Sequence, residues 1–402
     1  MVIVLLWIVL ASIVAFLVAW VNGANNAANA IGTAVGSRAI SLKKALILAS
    51  IFEFTGAILF GKYVSSTLLK GIVNIHAYTN PYIVMYGMFC ALLATGLWVI
   101  AATWFKIPMS ISQAIVGGVL GFGLATQGIN VINWERIIII VSSWFVVPLI
   151  SIIVTILLYY AISFFLNRAS VNSLPLIATS LYTAFLFIVL FLLILKNGGL
   201  NEVVYALGYS LSFACATGVL FYLLFKIKIP KASEEARNFT YKVLLIMAVA
   251  TMAFSHGAHD VANSAGPLTG IMVIAFKHTI PYRIGIPYSI LALCAAGISI
   301  GILMWGYSVV ETIGEKITTL TTQSAFIAQF SASLIVLVIT RLGIPTSTTG
   351  AIIGAVAGVG FARGIRNVNI KLLIKILIIW AIAAPIVALL AAIFLRILLI
   401  IL

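Results

Sequence analysis

Charge is scarce in this chain. Only 8% of its 402 residues are Asp, Glu, Lys or Arg, and just eight are acidic, where a soluble globular protein carries about 25% charged residues. With 63% of residues hydrophobic and a mean hydropathy of +1.24, the chain must be solvated by lipid. The charges fall in short connections, which leaves no soluble domain over. Cysteine is scarcer still. Cys90, Cys215 and Cys294 all lie inside apolar stretches without metal spacing, which excludes a disulfide framework. His256 and His259 stand beside Asp260, but no third ligand follows at zinc spacing. The net charge of +15 comes from 23 Lys and Arg scattered between apolar segments, so there is no basic face for nucleic acid. The run from Met1 to Trp20 lacks a basic n-region and a cleavage site and reads as a retained first helix.

What the sequence has is membrane spans. A helix needs about 20 apolar residues to cross the hydrocarbon. Segments of that kind fall at roughly 2–21, 44–61, 81–105, 110–128, 137–166, 174–195, 202–225, 243–256, 286–306, 324–340, 345–361 and 372–401. About twelve passes are expected, several of them short. The most polar connection is Lys226 to Lys242. Alternating from an outside N-terminus places 15 of the 23 basic residues inside and 8 outside, so both termini are expected outside and the central connection in the cytoplasm.

The chain also repeats itself. Gly23-Ala24-Asn25-Asn26-Ala27-Ala28-Asn29 recurs as Gly257-Ala258-His259-Asp260-Val261-Ala262-Asn263, an offset of 234. The stretch Ile107–Ala125 recurs as Ile344–Ala362 at an offset of 237, with 10 of 19 positions identical. Composition alone does not yield two matches in the same order at nearly one offset. Seven passes separate the equivalent first helices, and an odd number turns the copies opposite ways. The expected fold is therefore an all-α integral membrane protein of two inverted-topology repeats with broken helices or helical hairpins. Residues 1–166 form the first repeat, 167–242 the connecting helices and cytoplasmic loop, and 243–402 the second.

The polar repeats carry the chemistry. Irregular backbone at membrane depth survives only inside protein or along a water-filled cavity, so each Pro-Ser motif reads as the tip of a broken helix. Pro108 and Pro345 suit a first helical turn. The hydroxyls of Ser110, Ser112, Ser347, Thr348 and Thr349 can join the unpaired N–H groups of those turns around an anion. Asn25, Asn26, Asn29, Asp260 and Asn263 offer hard oxygen atoms suited to a small cation such as sodium. Glu53, inside the second span with no cation within a helical turn, reads as a cation ligand or proton carrier. Gln329 suits packing as well as a site, and His259 suits titration or a bond to the anion.

These motifs resemble those of the inorganic phosphate transporter (PiT) family. Residues 23–57 and 257–267 resemble its duplicated GAND-type motif, and the two Pro-Ser stretches resemble its hairpin segments. The resemblance implies twelve helices in inverted repeats, cation-coupled phosphate uptake and dimers. It places Asp260 on the second motif aspartate and Glu53 on the membrane glutamate. Asn26 stands where the first motif usually has aspartate, and Gln113 and Gly350 where a His often follows the Ser/Thr run.

The expected function is a symporter of the cell membrane that imports inorganic phosphate on a sodium gradient. Phosphate is expected at Ser110, Ser112, Gln113, Ser347, Thr348, Thr349 and Asn25. Sodium is expected at Asn26, Asn29, Asp260, Asn263 and Glu53. The alternative is a proton-coupled phosphate or sulfate permease. No cofactor beyond the coupling ions is expected. A channel would show rings of basic side chains, and an enzyme an activated nucleophile or metal triad; neither pattern is present.

Overall fold

The computed structural model describes residues 2–195, 200–282, 284–314 and 316–402. They form fifteen α-helices, and among them the sole β contact is a bridge between Val73 and Ile132. The first half contains α1 (Val2–Gly36), α2 (Leu42–Phe60), α3 (Lys62–Lys70), α4 (Pro81–Trp104), α5 (Ile111–Gln127) and α6 (Trp134–Arg168). Two connecting helices follow, α7 (Leu174–Ile194) and α8 (Leu200–Lys228). The second half contains α9 (Ser233–Asp260), α10 (Ala262–Lys277), α11 (Tyr288–Trp305), α12 (Val310–Gly314), α13 (Thr322–Arg341), α14 (Thr348–Ala362) and α15 (Ile370–Ile401).

Ten stretches among the described residues are long and apolar enough to cross a membrane, and α2 with α3, bent by 63°, would make an eleventh. Three departures from the expected passes have physical causes. The 44–61 pass is this bent pair. The 15-residue α14 is too short to cross alone. The stretch after residue 256, expected as a connection, contains α10 with Pro267 inside it. Buried helices tolerate such a proline because their neighbours satisfy the freed carbonyl.

The polar run from Lys226 to Lys242 is mostly helical, with only residues 229–232 between α8 and α9. Pro230 ends one helix, and Glu234 and Glu235 in the first turn of α9 favour the start of the next. Ala236, Thr240 and Leu244 form the buried stripe of its first turns. The boundary expected at residue 243 thus falls within α9. Lys196 and Arg283, counted among the outside charges, lie outside the described residues.

Element order matches between the halves: α1 with α9–α10, α2–α3 with α11–α12, α4 with α13, α5 with α14, and α6 with α15. Packing is exchanged in the same way, since α1 lies on α11 and α9 on α2, while α5 lies on α15 and α14 on α6. The motif glycines allow the first exchange. A Cβ on Gly23 would come within 2.0 Å of Ile298 O, and one on Gly257 within 2.0 Å of Glu53 O. Proline marks the second exchange, with Pro148 inside α6 and Pro385 inside α15, again 237 residues apart.

Equivalent helices run in opposite directions. At one end of the bundle His278, closing α10, accepts or donates a 2.7 Å bond with Tyr82 at the start of α4. At the other end Gly36, closing α1, packs on Gly314 of α12, and α12 meets the end of α4 through Thr312 and Lys106 O. So α1 descends to the end from which α9 rises, as an inverted repeat requires.

Candidate functional site

The two Pro-Ser tips meet inside the protein. Thr349, in the first turn of α14, donates from Oγ1 to Met109 O at 2.9 Å, one residue before the N-cap of α5. Pro108 and Pro345 do not occupy the first helical turn, as expected, but lie two residues before the N-caps Ser110 and Ser347. There the prolines hold the preceding residue extended, and the hydroxyl residues themselves begin the helices.

Each segment leading to a tip is braced by the opening motif of its own half. Asn25 donates from Nδ2 to Thr103 Oγ1 (2.9 Å) and Ile107 O (3.0 Å), and its Oδ1 accepts from Met109 N at 2.9 Å. Trp380 adds a bond from Nε1 to Pro108 O at 3.1 Å. His259, the equivalent of Asn25, accepts from Thr346 N at 3.3 Å on Nε2 and lies 3.0 Å from Thr340 Oγ1 on Nδ1. Thr340 gives its own hydrogen to Val336 O, so it accepts from His259 Nδ1, while Nε2 also lies 3.2 Å from Thr346 O. Both residues are therefore engaged as braces. Asn25, expected at the anion, and His259, expected to titrate or bind it, spend their polar atoms on backbone and threonine.

Between the tips lies a buried polar cluster. Asn26 donates to Asp260 Oδ2 at 2.7 Å and to Asn22 Oδ1 at 3.1 Å. Thr348 donates to Asp260 Oδ1 at 3.3 Å, which joins the first turn of α14 directly to the carboxylate. His256 Nε2 stands 3.2 Å from Asp260 Oδ2, and its Nδ1 stands 3.1 Å from Glu53 Oε2. Glu53, His256 and Asp260 thus form a line and do not converge on one point. Two matching pairs flank it: Asn29 donates to Thr349 Oγ1 at 3.0 Å, and Ser112 donates to Asn263 Oδ1 at 3.2 Å. Gln329 supports α1 from behind, donating to Asn29 O and Ala30 O and accepting from Thr33.

Several polar atoms of this cluster are buried without a hydrogen-bond partner: Asn29 Oδ1, Glu53 Oε1, Ser110 Oγ, Gln113 Oε1 and Asn263 Nδ2, while Glu53 Oε2 has only the contact with His256. Each such atom costs on the order of 1–3 kcal/mol when left unmade. They are the atoms a ligand would satisfy, and Gln113 sits apart from the rest on the α5 tip. No Lys or Arg is among the buried residues described. Most of the expected site residues come together here; Asn25 lies in the supporting layer, and the side chains of Ser110 and Gln113 stand on the α5 tip without a bond to the cluster. Asn22 and His256 are the partners that sequence reading undervalued. Each precedes its motif residue by four, Asn22 before Asn26 and His256 before Asp260, and the two stand 234 residues apart, which was the available signal.

Two opposed helix starts lined with neutral donors, set beside buried carboxylates inside a helical membrane bundle, define a membrane carrier for an anion. The chain matches the Phosphate transporter family over residues 22–391. It is 35% identical over 372 residues to a Thermococcus kodakarensis protein named "Putative phosphate permease TK2061", covering 91% of each chain. It is 32% identical to the Arabidopsis thaliana "Inorganic phosphate transporter 2-1, chloroplastic", covering 89% of this chain and 66% of that one. A solved structure described as the sodium-dependent phosphate transporter superposes with a TM-score of 0.93 at 36% identity, covering 98% of this chain and all of its own. The chain belongs to the phosphate transporter family.

Proposed function

We propose that this protein is a secondary active symporter that imports inorganic phosphate with sodium. The observation that carries the reading is the contact of Thr348 with Asp260 in the first turn of α14. An anion seated on that turn lies beside a carboxylate, in a cluster that also holds Glu53 and contains no Lys or Arg. Charges at such range repel strongly in a dry site. A cation bound with the anion relieves that repulsion beyond what His256, placed between the two carboxylates, can offer, and each strengthens the binding of the other.

Ser110, Ser112, Gln113, Ser347, Thr348 and Thr349 hold the phosphate. Asp260, Glu53 and the amides of Asn26, Asn29 and Asn263 hold the sodium, which needs no titrating ligand. The two halves, the second now beginning with α9 at Ser233, then rock as opposed repeats about the joined tips. The protein carries out no catalytic step, sits in the cell membrane with both termini outside, and works as a dimer. Uptake into proteoliposomes tests the coupling: a sodium gradient should drive phosphate accumulation, and flux indifferent to sodium would sink it. The similarity to a sodium-dependent transporter supports the choice of ion. Proton coupling is the second reading, favoured by the line from Glu53 through His256 to Asp260; stimulation by a pH gradient without sodium would establish it.

A further inference from the structure

A crevice of about 320 Å³ lies between α5, α6 and α15, walled largely by aliphatic and aromatic side chains and lined by no charged residue. Phe145 and Leu377 in its walls are exposed on the outside of the bundle. Two polar atoms in this lining are nevertheless buried without a partner, Gln113 Oε1 and Trp144 Nε1. Gln113 is only 3% exposed. One of these atoms accepts a hydrogen bond and the other donates one. No water reaches such groups from lipid, and each costs on the order of 1–3 kcal/mol when left unmade. The other indole of the crevice, Trp380, is satisfied by its bond to Pro108 O. At the repeat offset of 237, Gln113 and Trp144 correspond to Gly350 and Ala381. The repeated architecture therefore does not require the polar pair, which belongs to the first half alone.

We propose that this crevice binds a neutral amphiphile from the bilayer, an alcohol or phenol on a short hydrocarbon body, and that the bound molecule inhibits transport. A phospholipid acyl chain would fill the apolar space and leave both polar atoms bare. A carboxylate or an ammonium group would enter a lining that holds no opposite charge. A hydroxyl can donate to the Gln113 oxygen and accept the Trp144 indole hydrogen, so it answers both. The volume stands at the lower end of the roughly 300–1,000 Å³ of small-molecule sites, which suits a short body. Inhibition follows from where the walls belong. α15 packs on α5 and α6 packs on α14, so the crevice lies between the helix pairs that hold the two opposed tips. A molecule bonded across it favours the arrangement in which it fits and resists any other. It also holds the Gln113 side chain outward, whereas that side chain can serve the anion only by turning from the crevice. Binding stands without the phosphate reading above, and inhibition rests on it.

Photolabelling and phosphate uptake in proteoliposomes test this. The probe is 4-hexylphenol, its counterpart without the hydroxyl is hexylbenzene, and the label is an alkylphenol carrying a diazirine, all compared at equal concentration in the membrane. In the wild type the label should attach to crevice residues such as Phe145 and Leu377. 4-Hexylphenol should displace it at least about tenfold more potently than hexylbenzene and should inhibit phosphate uptake over the same concentrations. Trp144→Phe keeps the wall and removes the N–H. Its sensitivity to the phenol should fall about tenfold, while uptake without the phenol stays within a few fold; unchanged sensitivity would overturn the proposal. Equal displacement by hexylbenzene would give the crevice to acyl chains, and protection that grows with protein density would give it to a second copy. Either result overturns the proposal in the wild type, without any variant having to fold. Full transport by labelled protein would overturn the inhibition. Protein that labels as expected but carries no phosphate would overturn the phosphate reading alone, so the two failures are separable.

Discussion

Asn26 and Asp260 hold the same position in the two halves, 234 residues apart, and are hydrogen-bonded to one another at 2.7 Å. Equivalent positions that touch must flank the axis relating the repeats, so this bond marks the centre of the carrier. The axis is broken chemically. One side presents Asn22, Asn26 and Ile298; the other presents His256, Asp260 and Glu53. Both carboxylates of the cluster belong to one side. Asp260→Asn removes one while keeping its shape and its bond to Asn26 in altered polarity. Sodium-driven phosphate accumulation should fall by two orders of magnitude or more, whereas protein yield in the membrane should stay within a few fold. Full coupled uptake in that variant would refute the assignment of the cation site.

The braces give a second expectation. His259 and Asn25 hold the approaches to the two tips, each with bonds to backbone and threonine. His259→Ala should raise the phosphate KM by about tenfold, the equivalent of the roughly 1–3 kcal/mol that a lost buried bond costs. The sodium dependence of uptake should keep its shape, because the ring touches no proposed cation ligand other than through the chain. His259→Asn, which installs the first half's solution in the second, should recover part of the loss. A flattened sodium curve in His259→Ala would place the ring in the cation site instead.

Much of this was legible in the sequence, and for a physical reason. The duplicated motifs are polar islands in apolar helices, and in lipid every such island must be satisfied by another, so finding them amounts to finding the site. The odd number of passes between the copies also foretold that equivalent helices oppose one another. What stayed hidden depended on contact. The bend between α2 and α3 comes at Gly61, which packs on Val261 where α9 gives way to α10, a contact that no hydropathy window reports. Asn25 looked like an anion ligand because its type and place fit. Only the fold shows its amide turned to Met109 N and Ile107 O. The acidic first turn of α9 was mistaken for loop because charge outweighed its helical stripe.

Close helix approach supplies a third expectation. A Cβ on Gly257 would overlap Glu53 O at 2.0 Å, so Gly257→Ala must push α2 away from α9. Overpacking of this kind costs about 1–3 kcal/mol. Because the displaced carbonyl belongs to Glu53 itself, the variant should lose sodium affinity along with thermal stability in detergent. Gly23→Ala overlaps Ile298 O to the same extent but moves no carboxylate. It should lower stability alone, and equal effects of both variants on sodium affinity would count against a role for Glu53.

The two N-cap serines separate support from binding. Ser347 caps α14 by accepting from Gly350 N, whereas the Ser110 hydroxyl has no partner at all. Removing a working cap costs about 0.5–2 kcal/mol, so Ser347→Ala should lower the melting temperature and phosphate affinity together. Removing an unpartnered buried hydroxyl costs the fold little, because no bond is lost and a polar atom is relieved of burial. Ser110→Ala should therefore leave the melting temperature of the ligand-free protein unchanged or slightly raised, while the phosphate KM rises about tenfold. The stabilisation that saturating phosphate confers, which grows as the logarithm of its concentration over Kd, should shrink in the same variant. If Ser110→Ala were as destabilised as Ser347→Ala, with no loss of phosphate protection, the α5 tip would be a structural cap and not the seat of the anion.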